Sequence, residues 1–349
     1  MDLRNFAQNV PRVPTSNLVA SVALSACLVV AGCGSAVVAS LPTVAKPAAI
    51  GIPSGPTLGY VFSPTDGTLR AILGVSGSAQ VSASIVPSGV YVAGEISTAS
   101  SVGLLEDGTG TLFAFNLPLP QPVHVAGGLP AYAQIVFASS GQTAIVYVAG
   151  GSTMTLITGL PATPQLQTRT VPAGGHLVSA VVSDAGTVAI VMQGTPMPVG
   201  TLAASGQFSA LTTVTAAGGL SFIPGSEDLL IADSGANTAT LMHNVSSGLS
   251  IQPLTVAGLN QPVAIAGSQD RKWAVIANGG DANIFRVDLT ASTAATKLTC
   301  TCQPALLSSL AGGGAFRLNS LYSGPTWTVD VTSATPQLLF VPAIAKGTP

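Results

Sequence analysis

Beyond about residue 57 the apolar residues fall into short runs, such as Ala144–Val148, Val188–Met192, Leu229–Ala232 and Ala274–Ala277, separated by stretches rich in Gly, Pro, Ser and Asp. Runs of roughly four to eight residues, rich in Val, Ile and Thr and bounded by turn formers, predict strands rather than helices. Only one stretch, Leu18–Gly32, is continuously apolar. At about 15 residues it falls short of the roughly 20 that a membrane-spanning helix needs.

The strands come in repeating pairs. Four segments, Phe137–Thr158, Val182–Ala203, Ile223–Asn244 and Gly267–Asp288, each read as a turn, an apolar strand, a Gly-rich or polar hairpin and a second strand. Their equivalent positions Val146, Val191, Ala232 and Ala277 are 45, 41 and 45 residues apart, close to the spacing of about 40–45 found in propeller blades. Looser copies begin at Gly59, Val90 and Thr326, which brings the units to seven. Gly-rich segments from Val125, Val171, Thr215 and Val256 lead into the strand expected to lie innermost, where converging backbones leave little room for side chains.

A blade of four strands cannot bury both of its faces alone, and radial stacking solves that problem. The expected fold is therefore all-β, a seven-bladed β-propeller over residues 57–345. A β-sandwich or another blade number is the alternative. Closure of the ring is expected from the carboxy-terminal strand in Pro336–Ala343, completing a blade begun near the amino terminus. The segment IADSGANTATLM, from Ile231, is similar to the core of NHL repeats, and WAVIANGGDANIFRVDL, from Trp273, resembles the YVTN type of propeller repeat. This resemblance implies a hairpin-organising role for Asp233, through side-chain hydrogen bonds to backbone.

Composition changes the picture at the amino terminus. The chain is 47% hydrophobic and only 7% charged, against roughly 25% charged in ordinary soluble domains. Arg4 and Arg12 precede the apolar run, and Val30-Ala31-Gly32-Cys33 follows its core. That order resembles the signal and lipobox of bacterial lipoproteins. The resemblance implies cleavage after residue 32 and a lipid on the Cys33 thiol, with residues 33–56 as a flexible tether. An exported chain, anchored in the bacterial cell envelope on its periplasmic or outer-surface side, is the expectation. Without residues 1–32 there remain nine basic and twelve acidic side chains, a net charge of −3, which offers no footprint for nucleic acid.

Candidate chemistry is sparse. Nucleophile elbows, HExxH helices, phosphate loops and dinucleotide fingerprints are missing from their required contexts, and no cofactor is expected. The three histidines, His124, His176 and His243, are too isolated for metal spacing. His176, after Gly174-Gly175, is the candidate for facing the central channel. Glu106 and Asp107 are expected on an exposed hairpin. Cys300 and Cys302 are a candidate disulfide, since an oxidising envelope favours pairing. A binding or scaffold module, held at the membrane by its lipid and meeting an envelope protein or glycan, is the leading expectation. The alternative is a lyase or hydrolase with channel-facing catalytic residues, for which His176 beside an acid would be the sign.

Overall fold

The computed structural model describes residues 55–343, apart from 98, 132, 292–293 and 321–323 and the side chains of 119 and 120. The signal at 1–32, Cys33 and all but the last two residues of the tether lie outside the described residues.

The described residues form seven antiparallel sheets in chain order, each a meander in which consecutive strands pair. Blade 1 (Thr57–Ser84) has three strands, and blades 2 (Tyr91–Ala126), 3 (Gln134–Thr170), 4 (Leu177–Val214), 5 (Ala217–Leu254), 6 (Pro262–Thr299) and 7 (Ser308–Val341) have four each. The four equivalent positions read from the sequence all lie on second strands, and each pairs with the innermost strand of its own blade: Val146 with Ile135, Val191 with Ser179, Ala232 with Gly219 and Ala277 with Ala264. The looser copies enter the repeat at other points. Gly59 lies on the innermost strand of blade 1, whereas Thr326 begins the third strand of blade 7.

Packing explains the ring. The buried apolar residues fall into seven clusters, and each cluster joins one blade to the next. Ile145 and Met154 of blade 3 meet Leu177 and Ile190 of blade 4. Val275 and Ile284 of blade 6 meet Phe316 and Val329 of blade 7. The last cluster brings Leu310, Ala315 and Val341 of blade 7 against Leu58, Val61 and Ile72 of blade 1, and so closes the circle. The molecule is a seven-bladed β-propeller.

Closure does not use the strand exchange expected from the sequence. Gln337–Val341 is the outermost strand of blade 7, paired with Thr326–Asp330 just before it. A short hairpin costs far less loop entropy than a strand returning across the whole chain, and blade 1 stays three-stranded. The seam is held by the apolar cluster and by the Ala311 amide, which donates to the Leu58 carbonyl at 2.7 Å.

Two arginines fasten neighbouring blades. Arg169 of blade 3 donates to the Leu202 carbonyl of blade 4 at 2.7 Å. Arg286 of blade 6 donates to the carbonyls of Ser333 and Ala334, at 2.6 and 2.8 Å, in blade 7, and lies over the Trp273 ring.

Candidate functional site

The innermost strands of blades 2 to 7 converge on a cavity of about 560 Å³, at the end of the channel where each innermost strand turns into the second. Lining from six blades places it on the propeller axis, and no residue of blade 1 contributes. Ile135, Val136, Val181, Leu220, Phe222 and Ile265 make most of the wall apolar. Ser97, Ser139, Ser221, Ser308 and Gln269 add hydrogen-bonding groups.

The turns that frame this end are tied to one another. The Asp184 carboxylate, in the first turn of blade 4, accepts from Ser139 Oγ at 2.6 Å and the Ser140 amide at 2.7 Å in blade 3, and from the Gly225 amide at 3.0 Å in blade 5. Arg271 of blade 6 donates to the Gly225 carbonyl at 2.7 Å. The Gln269 amide donates to the Gly313 carbonyl of blade 7 at 2.9 Å. Against the desolvation that burial brings, these donors hold the Asp184 carboxyl below its ordinary range. A frame of this kind holds the turns of blades 3 to 7 together, because none of these five can shift without breaking a bond to another.

Two charged side chains stand on the cavity wall, Glu95 from the innermost strand of blade 2 and Arg317 from the second strand of blade 7. Arg317 is 5% exposed. It lies opposite Ser308 in the strand register, and Ser308 Oγ of blade 7 donates a long hydrogen bond of 3.4 Å to Glu95 Oε1 of blade 2. Burial pushes the Glu95 carboxyl up, with the Arg317 charge opposing that shift. Burial likewise lowers Arg317, opposed by Glu95. No nitrogen of Arg317 comes within 4.0 Å of a Glu95 oxygen; the ion pairs among the described residues are Asp66 with Arg70 and Asp228 with His243. Arg317 donates from Nη1 to the Asn319 carbonyl at 2.8 Å, while its buried Nε has no partner.

The residues singled out in the sequence lie elsewhere. His176 is exposed just before the innermost strand of blade 4, with Nδ1 2.9 Å from the Gly150 carbonyl oxygen. The cavity is lined by the far end of that strand, Val181 and Val182, roughly 16 Å away at about 3.3 Å per residue. His243 lies between Asp228 and Gln252, and His124 packs edge-on against Phe113. Among the described residues, no three His, Cys, Asp or Glu side chains converge as a metal site requires. Cys300 and Cys302 are joined by a disulfide, with Cα atoms 5.0 Å apart, at the close of blade 6. Asp233 accepts from the amides of Thr215, Ala216, Gly235 and Ala236 at 2.7–3.1 Å, and so organises its hairpin.

Glu106 is not the exposed carboxylate expected. It is 0% exposed, and its Oε2 accepts from the Ala133 amide at 3.0 Å at the start of blade 3. The strand Val102–Asp107 carries it one residue short of the hairpin, so its side chain points between blades while Asp107 accepts from Thr109 and Thr111 in the turn.

Neither Glu95 nor Arg317 belongs to a motif, but each left a trace. In a chain with 7% charged residues, a charge within an apolar strand such as Tyr91–Ser97 or Ala315–Arg317 has no turn to explain it.

Comparison with known proteins agrees on fold. No family model matches the chain, and no curated protein matches it. Among solved structures, a functionally unknown protein from Desulfotomaculum acetoxidans is similar, at 13% identity and TM-score 0.58, over 83% of this chain and 96% of that one. AztD from Citrobacter koseri is 12% identical with TM-score 0.57, over 82% and 83% of the two chains. Virginiamycin B lyase from Staphylococcus aureus is 13% identical with TM-score 0.55, over 74% and 85%. Identities this low establish a shared propeller and nothing finer.

Proposed function

We propose that the chain is a lipid-anchored binding module of the bacterial cell envelope, whose ligand seat is the channel cavity. The observation that carries the reading is the cavity itself. Its volume of about 560 Å³ falls within the roughly 300–1,000 Å³ of small-molecule sites, which are mostly apolar with a few placed polar groups. The anchor is supported by the basic residues, apolar run and lipobox that end at Cys33.

Two experiments test the two halves. Metabolic labelling with a palmitate analogue is expected to mark the wild-type chain and not Cys33→Ser; an unlabelled wild type removes the anchor. For the seat, envelope peptides and glycans are captured on the wild-type chain and on Ser221→Trp, which fills the cavity from the innermost strand of blade 5. Loss of capture with the β-sheet spectrum intact is expected. Equal capture by both moves the ligand off the cavity.

A second reading, a propeller enzyme, draws on Glu95, because a carboxyl raised by burial inside a cavity is suited to proton transfer. A histidine-to-alanine variant of virginiamycin B lyase is described as catalytically inactive, whereas no histidine is among the residues lining this cavity. Shared chemistry with that lyase therefore has no support here. An enzyme of another class would lose turnover in Glu95→Gln while keeping affinity for its substrate.

A further inference from the structure

We infer that the cavity receives a small amphipathic zwitterion, a molecule with an apolar body, a free ammonium group held by Glu95 and a free carboxylate held by Arg317. Apolar amino acids and short apolar peptides are the chemical class. The inference rests on the reading of the cavity as the ligand seat and names what would occupy it.

The fold leaves two charges underused on the cavity wall. A charge taken out of water is costly unless it is paired and fully hydrogen-bonded. Two other buried arginines come closer to that requirement by making more hydrogen bonds. Arg286 spends its guanidinium on three carbonyl oxygens in blade 7, and Arg169 on Leu202 and Gly186 carbonyls and the Gln167 side chain. Arg317 is as deeply buried as either, yet it has one hydrogen bond, to Asn319; its Nε, like that of Arg286, has no partner. Glu95 has a long contact from Ser308 and help from the Ile96 amide. The two charges face the same cavity without forming an ion pair with each other.

Their signs decide the ligand class. A ligand with a cation alone would sit beside the Arg317 charge, and one with an anion alone beside the Glu95 charge, so either meets a repulsion that offsets its attraction. A molecule that carries both groups finds a partner for each and leaves the wall neutral. Its apolar body then lies against Ile135, Leu220, Phe222 and Ile265, burying hydrocarbon surface. Ser97 and Ser221 add hydroxyl groups to the same wall, whereas Ser139 is engaged by Asp184 and the Gly225 amide.

The test is a cycle of ligand and protein variants, with the full chain in lipid nanodiscs and isothermal titration calorimetry. The probes are leucyl-leucine, its N-acetyl form, its C-terminal amide and the doubly capped form. Wild type is expected to bind the free dipeptide about tenfold or more tighter than either singly capped form, the size of one charge-assisted contact. Glu95→Gln is expected to lose discrimination at the amino end and keep it at the carboxyl end, and Arg317→Gln the reverse. A retained preference at the opposite end shows that each variant is folded, so loss of folding cannot imitate the result. Equal binding of all four probes to the wild type would overturn the zwitterion while leaving the cavity as a seat. Binding of the free dipeptide that neither variant changes places it away from Glu95 and Arg317 and also overturns the inference. No binding of any probe overturns it for this class, whereas the functional reading fails only if Ser221→Trp captures as well as wild type.

Discussion

At the scale of single residues, the carboxylates show how environment sets charge. Asp233 is surrounded by four amide donors; despite the desolvation of its site, they hold its carboxyl below the ordinary 3.8. A lowered folded-state value makes its stabilisation complete above the unfolded value and lost as pH falls through the folded one. Asp233→Ala is expected to cost about 1–3 kcal/mol at neutral pH, the loss of buried charge-assisted hydrogen bonds, with the gap to wild type closing in acid. Urea unfolding at several pH values measures both. Glu106 is the opposite case, its carboxyl raised by burial and further by Asp107. Its contribution is present below the unfolded value and lost as pH rises through the folded one. Glu106→Gln should therefore gain on wild type as pH rises from about 4 toward neutrality. A constant difference across that range would show that Glu106 does not titrate in the folded state as its burial implies.

At the scale of strands and turns, close approach between blades is decisive. A methyl group on Gly218 would lie 2.1 Å from the Pro262 carbonyl oxygen, and one on Gly219 would lie 2.8 Å from the Ile265 amide nitrogen, both in the innermost strand of blade 6. The Gly-rich run from Thr215 thus marks a convergence of backbones, although its close approaches at Gly218 and Gly219 fall inside the innermost strand Ala217–Phe222 and not ahead of it. Gly219→Ala is expected to cost about 1–3 kcal/mol by overpacking, read as a lower urea midpoint with little change in slope. The Cys300–Cys302 disulfide encloses a single residue between its halves. Little loop entropy is involved, so Cys300→Ser with Cys302→Ser should cost no more than about 2 kcal/mol. Alkylation without reductant, followed by intact-mass measurement, is expected to leave both thiols of the wild type unlabelled.

At the scale of the whole molecule, stability is shared among seven apolar seams and the frame of turns at the cavity end. The seam between blades 7 and 1 has no interlocking strand, so Leu310, 1% exposed there, has an outsized part in closure. Leu310→Ala is expected to cost about 2–5 kcal/mol, the range for a buried leucine whose cavity does not collapse, and to raise hydrogen exchange first in blades 7 and 1. Uniform loss of protection around the ring would mean that closure is no weaker there than elsewhere.

The repeat of short apolar runs, their spacing near 41–45 residues and their turn chemistry pointed to strands stacked as seven blades in a ring, because a two-faced apolar sheet has few ways to hide from water; a sandwich or another blade number stayed open until the seven sheets were seen. The hairpin role of Asp233 was also legible, since Asp-Ser-Gly carries its own local hydrogen-bond geometry. The meeting of Glu95 and Arg317 on one cavity wall was not, for they lie 222 positions apart in the numbering and come together only when the last blade meets the first. Closure without strand exchange and the burial of Glu106 were hidden for a related reason: each depends on which neighbour packs against an element. Local pattern along a chain reports what a segment prefers, whereas the meeting of distant side chains in a low-dielectric cavity is decided by the closed ring alone.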